Sequence, residues 1–122
     1  MPAGGRSVLI VDDHAPFRAA ARMLLEGEGF DVVGESADAA GALAAASRLR
    51  PAIVLLDIAL PDGDGFEVAE RLAGRDDSPV VILVSSREVA WYRSRLAESP
   101  ARGFIAKGDL SGDAVAALVG GA

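Results

Sequence analysis

Val8-Leu9-Ile10-Val11-Asp12-Asp13 is the stretch that decides the fold, because four apolar residues are followed at once by two acidic ones. A similar pattern returns in Ile53-Val54-Leu55-Leu56-Asp57, and Phe104-Ile105-Ala106 is followed by Lys107. Short apolar runs of this kind are typical of buried strands in a parallel sheet. The carboxyl ends of such strands open onto one crevice, so we expect the charged residues after the runs to meet there. Clustered carboxylates repel one another unless a divalent cation neutralises them, and the pattern therefore predicts a metal site.

The composition is that of one globular domain. The chain has 122 residues, and 51% of them are hydrophobic. This is enough apolar material for one compact core, and the chain is too short for two domains. It contains no cysteine, so disulfides, thiolate metal ligands and a cysteine nucleophile are excluded. No apolar run approaches the roughly 20 residues that cross a bilayer, and the first residues lack the apolar segment of a signal peptide. We therefore expect a cytoplasmic protein without membrane association.

The net charge of −6 makes the molecule as a whole repel nucleic acid, so we expect no direct nucleic-acid binding by this chain. The charge is unevenly distributed. Between Arg87 and Lys107, inclusive, five basic residues stand against two acidic ones, a local charge of +3. A partner-docking surface is one interpretation of this segment, and an ordinary solvated surface is the other.

Apolar runs alternate with helix-period segments along the chain, which is the pattern of repeated strand–helix units. Strands are predicted at residues 7–11, 31–35, 53–57, 80–85 and 103–106. Helices are predicted at residues 15–26, 38–49, 65–73, 88–98 and 112–119. Five strands alternating with five helices predict an α/β fold, a doubly wound parallel sheet of flavodoxin-like strand order 2-1-3-4-5. The switch point of that order lies between the first and third strands, where the acidic residues are.

Two helices carry local predictions. The first is predicted to bury one face, formed by Phe17, Ala21, Leu24 and Leu25. The second is mostly alanine, which favours close packing on the sheet, and either Asp38 or Ser36 is predicted to cap it.

The fourth helix is the most informative for binding. By helical spacing, Val89, Tyr92 and Leu96 share one face, while Trp91 and Arg95 fall on another. If the first face packs on the sheet, Trp91 is exposed at least in part. An exposed tryptophan beside arginines resembles a binding hot spot. A ring flattened over its own helix is the alternative.

Five motifs follow one another at characteristic spacing. They are Val11-Asp12-Asp13-His14, the strand ending in Asp57, Leu60-Pro61-Asp62-Gly63-Asp64-Gly65, Val84-Ser85-Ser86, and Gly103-Phe104-Ile105-Ala106-Lys107. Each is weak alone, but in this order they closely resemble the receiver domain of bacterial two-component response regulators, in the style of LuxR-type regulators. The resemblance covers essentially the whole chain. It implies the CheY-like form of the flavodoxin-like fold.

The resemblance implies a role for each charged residue of the crevice. Asp57 is similar to the phosphoacceptor, a carboxylate that takes a phosphoryl group from phosphohistidine. Asp13 and Asp57, with the backbone carbonyl of Ala59, match the direct ligands of Mg2+, and Asp12 matches a residue that reaches the metal through water. Lys107 is implied to pair with Asp57 and then with the phosphoryl oxygens.

Ser85 and Phe104 match the family's switch pair. The Ser85 hydroxyl is implied to bond the phosphoryl group, and Phe104 to swing into the vacated space. Phe104 lacks the hydroxyl of the commoner tyrosine, so its movement reports packing without a new hydrogen bond. In this family the fourth helix and fifth strand form the usual output face, so Trp91 and Arg95 are expected to contact a partner. Gly108 stands where many receivers have proline.

The expected function is a phosphorylation-activated signalling switch, which is no enzyme beyond its own phosphorylation and slow dephosphorylation. Its implied partners are a sensor histidine kinase or a histidine phosphotransfer protein, a downstream protein, and a second copy in a phosphorylation-dependent dimer. A single receiver domain over residues 1–122, without an effector domain, is expected if the sequence is complete. Otherwise the chain is the receiver part of a DNA-binding regulator.

Two further alternatives come from other classes of protein. A receiver-shaped scaffold that never takes phosphate would keep the fold alone. A haloacid-dehalogenase-like phosphatase requires a second aspartate where Ala59 stands, which disfavours it. Asp62 and Asp64 resemble the start of a calcium loop, but Phe66 stands where an oxygen ligand is needed, so we interpret them as turn residues. His14 is interpreted as a first-turn helix residue.

Overall fold

The strands form one five-stranded parallel sheet and one short hairpin. The computed structural model describes residues 6–120. Its strands are β1 (Ser7–Val11), β2 (Asp31–Ser36), β3 (Ile53–Asp57), β4 (Ala59–Leu60), β5 (Gly63–Asp64), β6 (Val80–Ser85) and β7 (Gly103–Ala106). The large sheet has the order β2-β1-β3-β6-β7, with parallel pairing throughout, while β4 and β5 pair only with each other. The predicted order 2-1-3-4-5 is confirmed, since the hairpin adds no strand to the sheet.

Helices cover both faces of the sheet. They are α1 (Ala15–Gly27), α2 (Ala39–Leu49), α3 (Gly65–Ala73), α4 (Arg93–Glu98) and α5 (Gly112–Val119). Two 3-10 segments, Val89–Tyr92 and Lys107–Asp109, precede α4 and follow β7. Across residues 6–120 no helix is long and apolar enough to cross a membrane.

The core consists of two apolar layers separated by the central strands. All residues of β1 and β3 are buried. Along β1, Leu9 and Val11 face the layer covered by α2 and α3, while Val8 and Ile10 face the layer covered by α1 and α5. This alternation is the two-residue period of a strand, and both faces are apolar because both carry helices. The sequence pattern of uninterrupted apolar runs follows directly.

The predicted buried face of α1 is wrong at one position. Ala21 and Leu25 are buried, and Phe17 is half-buried against the same layer. Leu24 is 36% exposed. Successive helical residues are about 100° apart, so Leu24 points away from the stripe that its neighbour Leu25 occupies.

The N-terminus of α2 is capped twice. Asp38 is the N-cap residue among the two candidates, because its Oδ1 accepts from the backbone N–H of Gly41 at 2.7 Å. The Ser36 hydroxyl donates to the Asp38 carbonyl instead. The Asp62 carboxylate accepts from the first two amides of α2, at 2.7 and 3.0 Å. Asp62 therefore satisfies free N–H groups of a distant helix, a role that its interpretation as a turn residue missed.

The predicted fourth helix is split. Its first part, Val89–Tyr92, is a 3-10 turn, and only Arg93–Glu98 is α-helical. Residues three apart align in a 3-10 turn, so the change of helix type alone would keep Val89 on the side of Tyr92. Tyr92 and Leu96 pack on the core, but Val89 is 46% exposed. The predicted common face of these three residues is therefore wrong for Val89.

Candidate functional site

Three carboxylates meet where β1 and β3 end. Asp12 and Asp13 follow β1 directly, and Asp57 is the last residue of β3. The two strands pair in parallel, with Val11 opposite Leu56, so they finish at the same level. One carboxylate oxygen from each aspartate lies within 4.8 Å of the others. Asp12 and Asp57 are buried and Asp13 is exposed, so the cluster opens to solvent on one side.

Backbone and side-chain contacts hold Asp12 in place. Its Oδ1 accepts from the backbone N–H of His14 at 2.8 Å, and its own N–H donates to the Ser36 carbonyl at 2.9 Å. The Arg18 guanidinium donates to the Asp12 carbonyl at 2.6 Å and pairs with Glu35 at 3.0 Å. His14 acts here through its backbone as the residue before α1, and its side chain is exposed. The start of α1 thus orients a fully buried carboxylate.

The ammonium of Lys107 bridges the two buried carboxylates. Its Nζ lies 2.6 Å from Asp12 Oδ2 and 3.5 Å from Asp57 Oδ2. It also lies 4.7 Å from the centroid of the Phe17 ring. The expected pairing with Asp57 is thus the longer of two contacts. Asp12, at 0% exposure, is the carboxylate that solvent cannot reach, so it has the greater need of a counter-charge.

Asp57 is incompletely neutralised by its surroundings. Burial raises its pKa to about 6, and the charge of Asp12 adds to that effect. Lys107 and the backbone N–H of Ala59, which lies 3.4 Å from Asp57 Oδ1, act in the opposite direction. A set of carboxylate oxygens with one open side fits a hard divalent cation such as Mg2+, which prefers oxygen ligands and keeps part of its water shell.

Ser85 lies at the end of the neighbouring strand β6. It is 4% exposed, and its Oγ accepts from the backbone N–H of Arg87 at 3.0 Å. The same Oγ lies 3.3 Å from the hydroxyl of Tyr92. The Tyr92 ring lies between Phe66 and Phe104, with centroid distances of 5.9 and 6.1 Å. The sequence pattern predicts only a packing face for Tyr92, because no local spacing indicates a contact between a strand end and a 3-10 turn.

The two residues expected to contact a partner have different neighbours within the chain. Trp91 is 68% exposed, and the guanidinium carbon of Arg87 lies 4.3 Å from its ring centroid. Arg95 instead pairs with Asp64 at 3.1 Å and lies 4.2 Å from the ring centroid of Phe66. Both residues are exposed, and their role in partner binding stays a prediction.

Gly65 lies so close to Asp57 that only glycine fits there. An added Cβ would lie 2.6 Å from the Asp57 carbonyl oxygen and 2.9 Å from the Ile58 Cα. The Gly65 N–H donates to the Ile58 carbonyl at 2.8 Å, which returns the chain against the end of β3. Asp64 caps α3 by accepting from the backbone N–H of Glu67 at 2.9 Å. The hairpin therefore fixes the loop that follows Asp57.

Comparison with known proteins identifies the family. The family model described as the response regulator receiver domain matches residues 8–118. The chain belongs to this family. The receiver domain is 39% identical over 100 residues to a putative transcriptional regulator of Pseudomonas aeruginosa, covering 82% of this chain and 48% of that protein. It is 38% identical, with the same coverage, to the putative positive transcription regulator of virulence factors BvgA of Bordetella pertussis.

Solved structures agree with this assignment. The signal receiver domain of the putative response regulator NarL from Mycobacterium tuberculosis is 32% identical, with a TM-score of 0.81, covering 95% of this chain and 97% of that one. The expected family and the CheY-like fold of the receiver domain are therefore confirmed. A receiver domain is a signalling protein, so the phosphatase alternative is set aside. The chain spans about half the length of the curated relatives it matches.

Proposed function

We propose that the receiver domain accepts a phosphoryl group on Asp57 when Mg2+ is bound, and that the new group changes the surface formed by residues 86–92. The meeting of three carboxylates with the Lys107 ammonium supports this proposal. Asp57 belongs to this group and is the last residue of a fully buried strand. A nucleophile held on a rigid element needs little reorganisation to react.

The reaction is an in-line displacement at phosphorus. A carboxylate oxygen of Asp57 forms a bond to phosphorus, and the bond from phosphorus to the donor's imidazole nitrogen breaks. The leaving imidazole nitrogen keeps the electron pair and takes up a proton. No general base is needed, because a carboxyl whose pKa is about 6 is mostly ionised at neutral pH.

The other crevice residues would bind the metal ion and contact the phosphoryl oxygens. Asp12, Asp13 and Asp57 would hold Mg2+, together with the carbonyl of Ala59. The bound ion would supply positive charge to the phosphoryl oxygens. Lys107 already lies within 3.5 Å of Asp57, and we expect its ammonium to turn from Asp12 to a phosphoryl oxygen. The Ser85 hydroxyl would donate a hydrogen bond to another phosphoryl oxygen.

The partners follow from the same proposal. The phosphodonor is a sensor histidine kinase or a histidine phosphotransfer protein, and the cytoplasm is the expected compartment. The output is contact with a downstream protein or with a second copy of the phosphorylated chain. An open recess of about 520 Å3 between the 3-10 turn and β7, bordered by Val89 and Phe104, offers a surface for such contact. Trp91 lies in the same turn, and Arg95 lies one helix turn farther on.

A second candidate concerns the protein to which this chain belongs. The matched relatives from Pseudomonas aeruginosa and Bordetella pertussis are described as transcription regulators and are about twice as long as the matched region. We therefore also propose that the chain is the receiver half of a DNA-binding regulator, in which another domain would contact DNA. An antibody against this domain would detect a protein of about twice its mass in cell extract. Detection of the 12.5 kDa species alone would favour a stand-alone receiver.

Intact-mass measurement after incubation with Mg2+ and acetyl phosphate tests the proposed chemistry. We expect one phosphoryl adduct on the wild type and none on Asp57→Asn. Asp76→Asn is the matched control, since Asp76 is an exposed aspartate that lies outside the crevice, and it should react like the wild type. Absence of an adduct on the wild type across a Mg2+ series would favour the scaffold that never takes phosphate.

A further inference from the structure

We propose that Tyr92 is a positioning residue that restrains Ser85 in the unphosphorylated receiver domain and releases it when Asp57 carries a phosphoryl group. This inference rests on the proposed function of Asp57. Phe104 on β7 has no hydroxyl and can contribute only packing to the switch. The proposal assigns the hydrogen bond of the switch to Tyr92, in the 3-10 turn before α4. Tyr92 is the only tyrosine of the chain, so no other phenolic hydroxyl is available for this part.

The hydrogen bonds of Ser85 carry the first step. Its buried hydroxyl has one proton to donate and can accept twice. The Arg87 N–H uses one acceptor position at 3.0 Å, and the Tyr92 hydroxyl lies 3.3 Å away in a contact in which either oxygen can be the donor. A phosphoryl oxygen only accepts, so Ser85 must direct its single proton to it. The contact with Tyr92 is longer than the usual O–H···O distance of about 2.7–2.8 Å, so it is the first to break when Ser85 turns toward Asp57.

The aromatic contacts of Tyr92 hold its hydroxyl in place. Its half-buried ring packs between Phe66 of α3 and Phe104 of β7. A ring fixed on both sides has little freedom to follow Ser85 as it moves. When Ser85 moves, the Tyr92 hydroxyl therefore loses its partner, and the Tyr92 ring is then held only by its contacts with Phe66 and Phe104. In this way a movement of Ser85 affects the packing around Phe104.

Two paths connect Ser85 with the surface. Tyr92 belongs to the 3-10 turn that carries the exposed ring of Trp91. Arg87 contacts Ser85 through its backbone and Trp91 through its guanidinium group. Within the described turn Val89–Tyr92 no residue is buried, so the turn is held less firmly than the strands. Trp91 is the only tryptophan, and its fluorescence therefore reports this turn alone.

Tyr92→Phe tests the restraint because it removes the hydroxyl and keeps the ring. In the protein without metal or phosphate, we expect faster hydrogen exchange of the amides of residues 89–92. With Mg2+ and acetyl phosphate, phosphoryl uptake should be about two- to tenfold faster than in the wild type, the range that loss of one hydrogen bond allows. The change in Trp91 emission on adding beryllofluoride and Mg2+ should be smaller than in the wild type, since the turn is already released.

Two further variants make the result specific. Ser94→Ala removes an exposed hydroxyl from the adjoining helix and should match the wild type in exchange and uptake. In a Ser85→Ala background, Tyr92→Phe should cause no additional change in the exchange of residues 89–92, because the partner is already gone. An equal additional change there would overturn the proposal, since Tyr92 would then act without Ser85.

The remaining outcomes separate this inference from the proposed function. Unchanged exchange and uptake in Tyr92→Phe, with a normal adduct on the wild type, would overturn the restraint and leave the acceptor role of Asp57 standing. Slower uptake would overturn it as well, because Tyr92 would then assist Ser85. A wild type that forms no adduct would overturn the acceptor role and, with it, the switch. Exchange is measured without phosphate, so it still shows whether the Ser85–Tyr92 contact restrains the turn.

Discussion

The strands under the crevice and the segment leading into α4 differ sharply in how firmly the fold holds them. Every residue of β1 and β3 is buried between two helical layers. In the described segment of the 3-10 turn and α4 no residue is buried, and Val89 and Trp91 are exposed. The three clustered carboxylates thus lie at the ends of firmly packed strands, and the surface that is proposed to change lies on the weakly packed part.

The largest expected effect compares two leucine-to-alanine substitutions. Leu9 of β1 is fully buried, so Leu9→Ala should lower the free energy of unfolding by about 2–5 kcal/mol. Leu96 of α4 is half-buried against the same layer, and Leu96→Ala should cost about 1 kcal/mol. Urea unfolding followed by circular dichroism measures both. Equal losses would show that α4 is held as firmly as the central strand.

The next effect tests the glycine packed against Asp57. Gly65→Ala should cost about 1–3 kcal/mol, because its Cβ would overlap the Asp57 carbonyl and the chain would have to move. It should also slow phosphoryl uptake, since the backbone of the acceptor shifts. Gly74→Ala is the control, because at that position the nearest atom lies 3.7 Å away and φ is −78°. Melting curves measure the stability of both variants, and the rate of reaction with acetyl phosphate measures their phosphoryl uptake. Wild-type uptake in Gly65→Ala would contradict the prediction.

A smaller effect depends on pH and is measured without Mg2+. Folding raises the pKa of Asp57 from 3.8 to about 6, so the folded state binds this proton more tightly than the unfolded state. The associated stability is present below about pH 4 and is lost as the pH rises through about 6. Asp57→Asn should therefore melt several degrees higher than the wild type at pH 8 and nearly alike at pH 4. A melting difference that does not change with pH would contradict this assignment.

The smallest effect concerns the link between α4 and α3. Arg95 and Asp64 form an exposed ion pair at 3.1 Å, so Arg95→Ala should cost only about 0.5 kcal/mol. Arg93→Ala, at another exposed arginine of α4, is the matched control and should cost less. Chemical denaturation at low and high salt measures both, since salt weakens an exposed pair. A loss above that of Leu96→Ala would mean that charge, and not packing, holds α4.

The sheet and the acidic cluster were predictable because they depend on short-range patterns. Uninterrupted apolar runs mark strands buried on both faces, and a charge just after such a run must lie at a strand end. Asp12, Asp13 and Asp57 could therefore be placed together before any coordinates. Their roles in metal binding and phosphoryl transfer stay predictions.

The contacts that the sequence did not reveal depend on local backbone phase or on distant partners. The predicted fourth helix begins as a 3-10 turn in which Val89 is exposed, and this break is not visible in the spacing of its residues. The closer approach of Lys107 to Asp12 follows from the relative burial of two carboxylates, which residue spacing does not encode. The Asp62 contacts with α2 join residues 22 and 23 positions apart. In each case the residue type was visible and its partner was not.

The central place of β1 in the sheet has a consequence for how the chain acquires its structure. Val8 pairs with Val32 on one side and with Ile53 on the other, so β1 is made first but completed late. During synthesis it has only a two-stranded sheet to join until β3 emerges, and such a pair is marginally stable in water. Pairings this distant in sequence slow folding, because a long loop must close before they form. We expect the nascent chain to stay incompletely folded until β3 has left the ribosome.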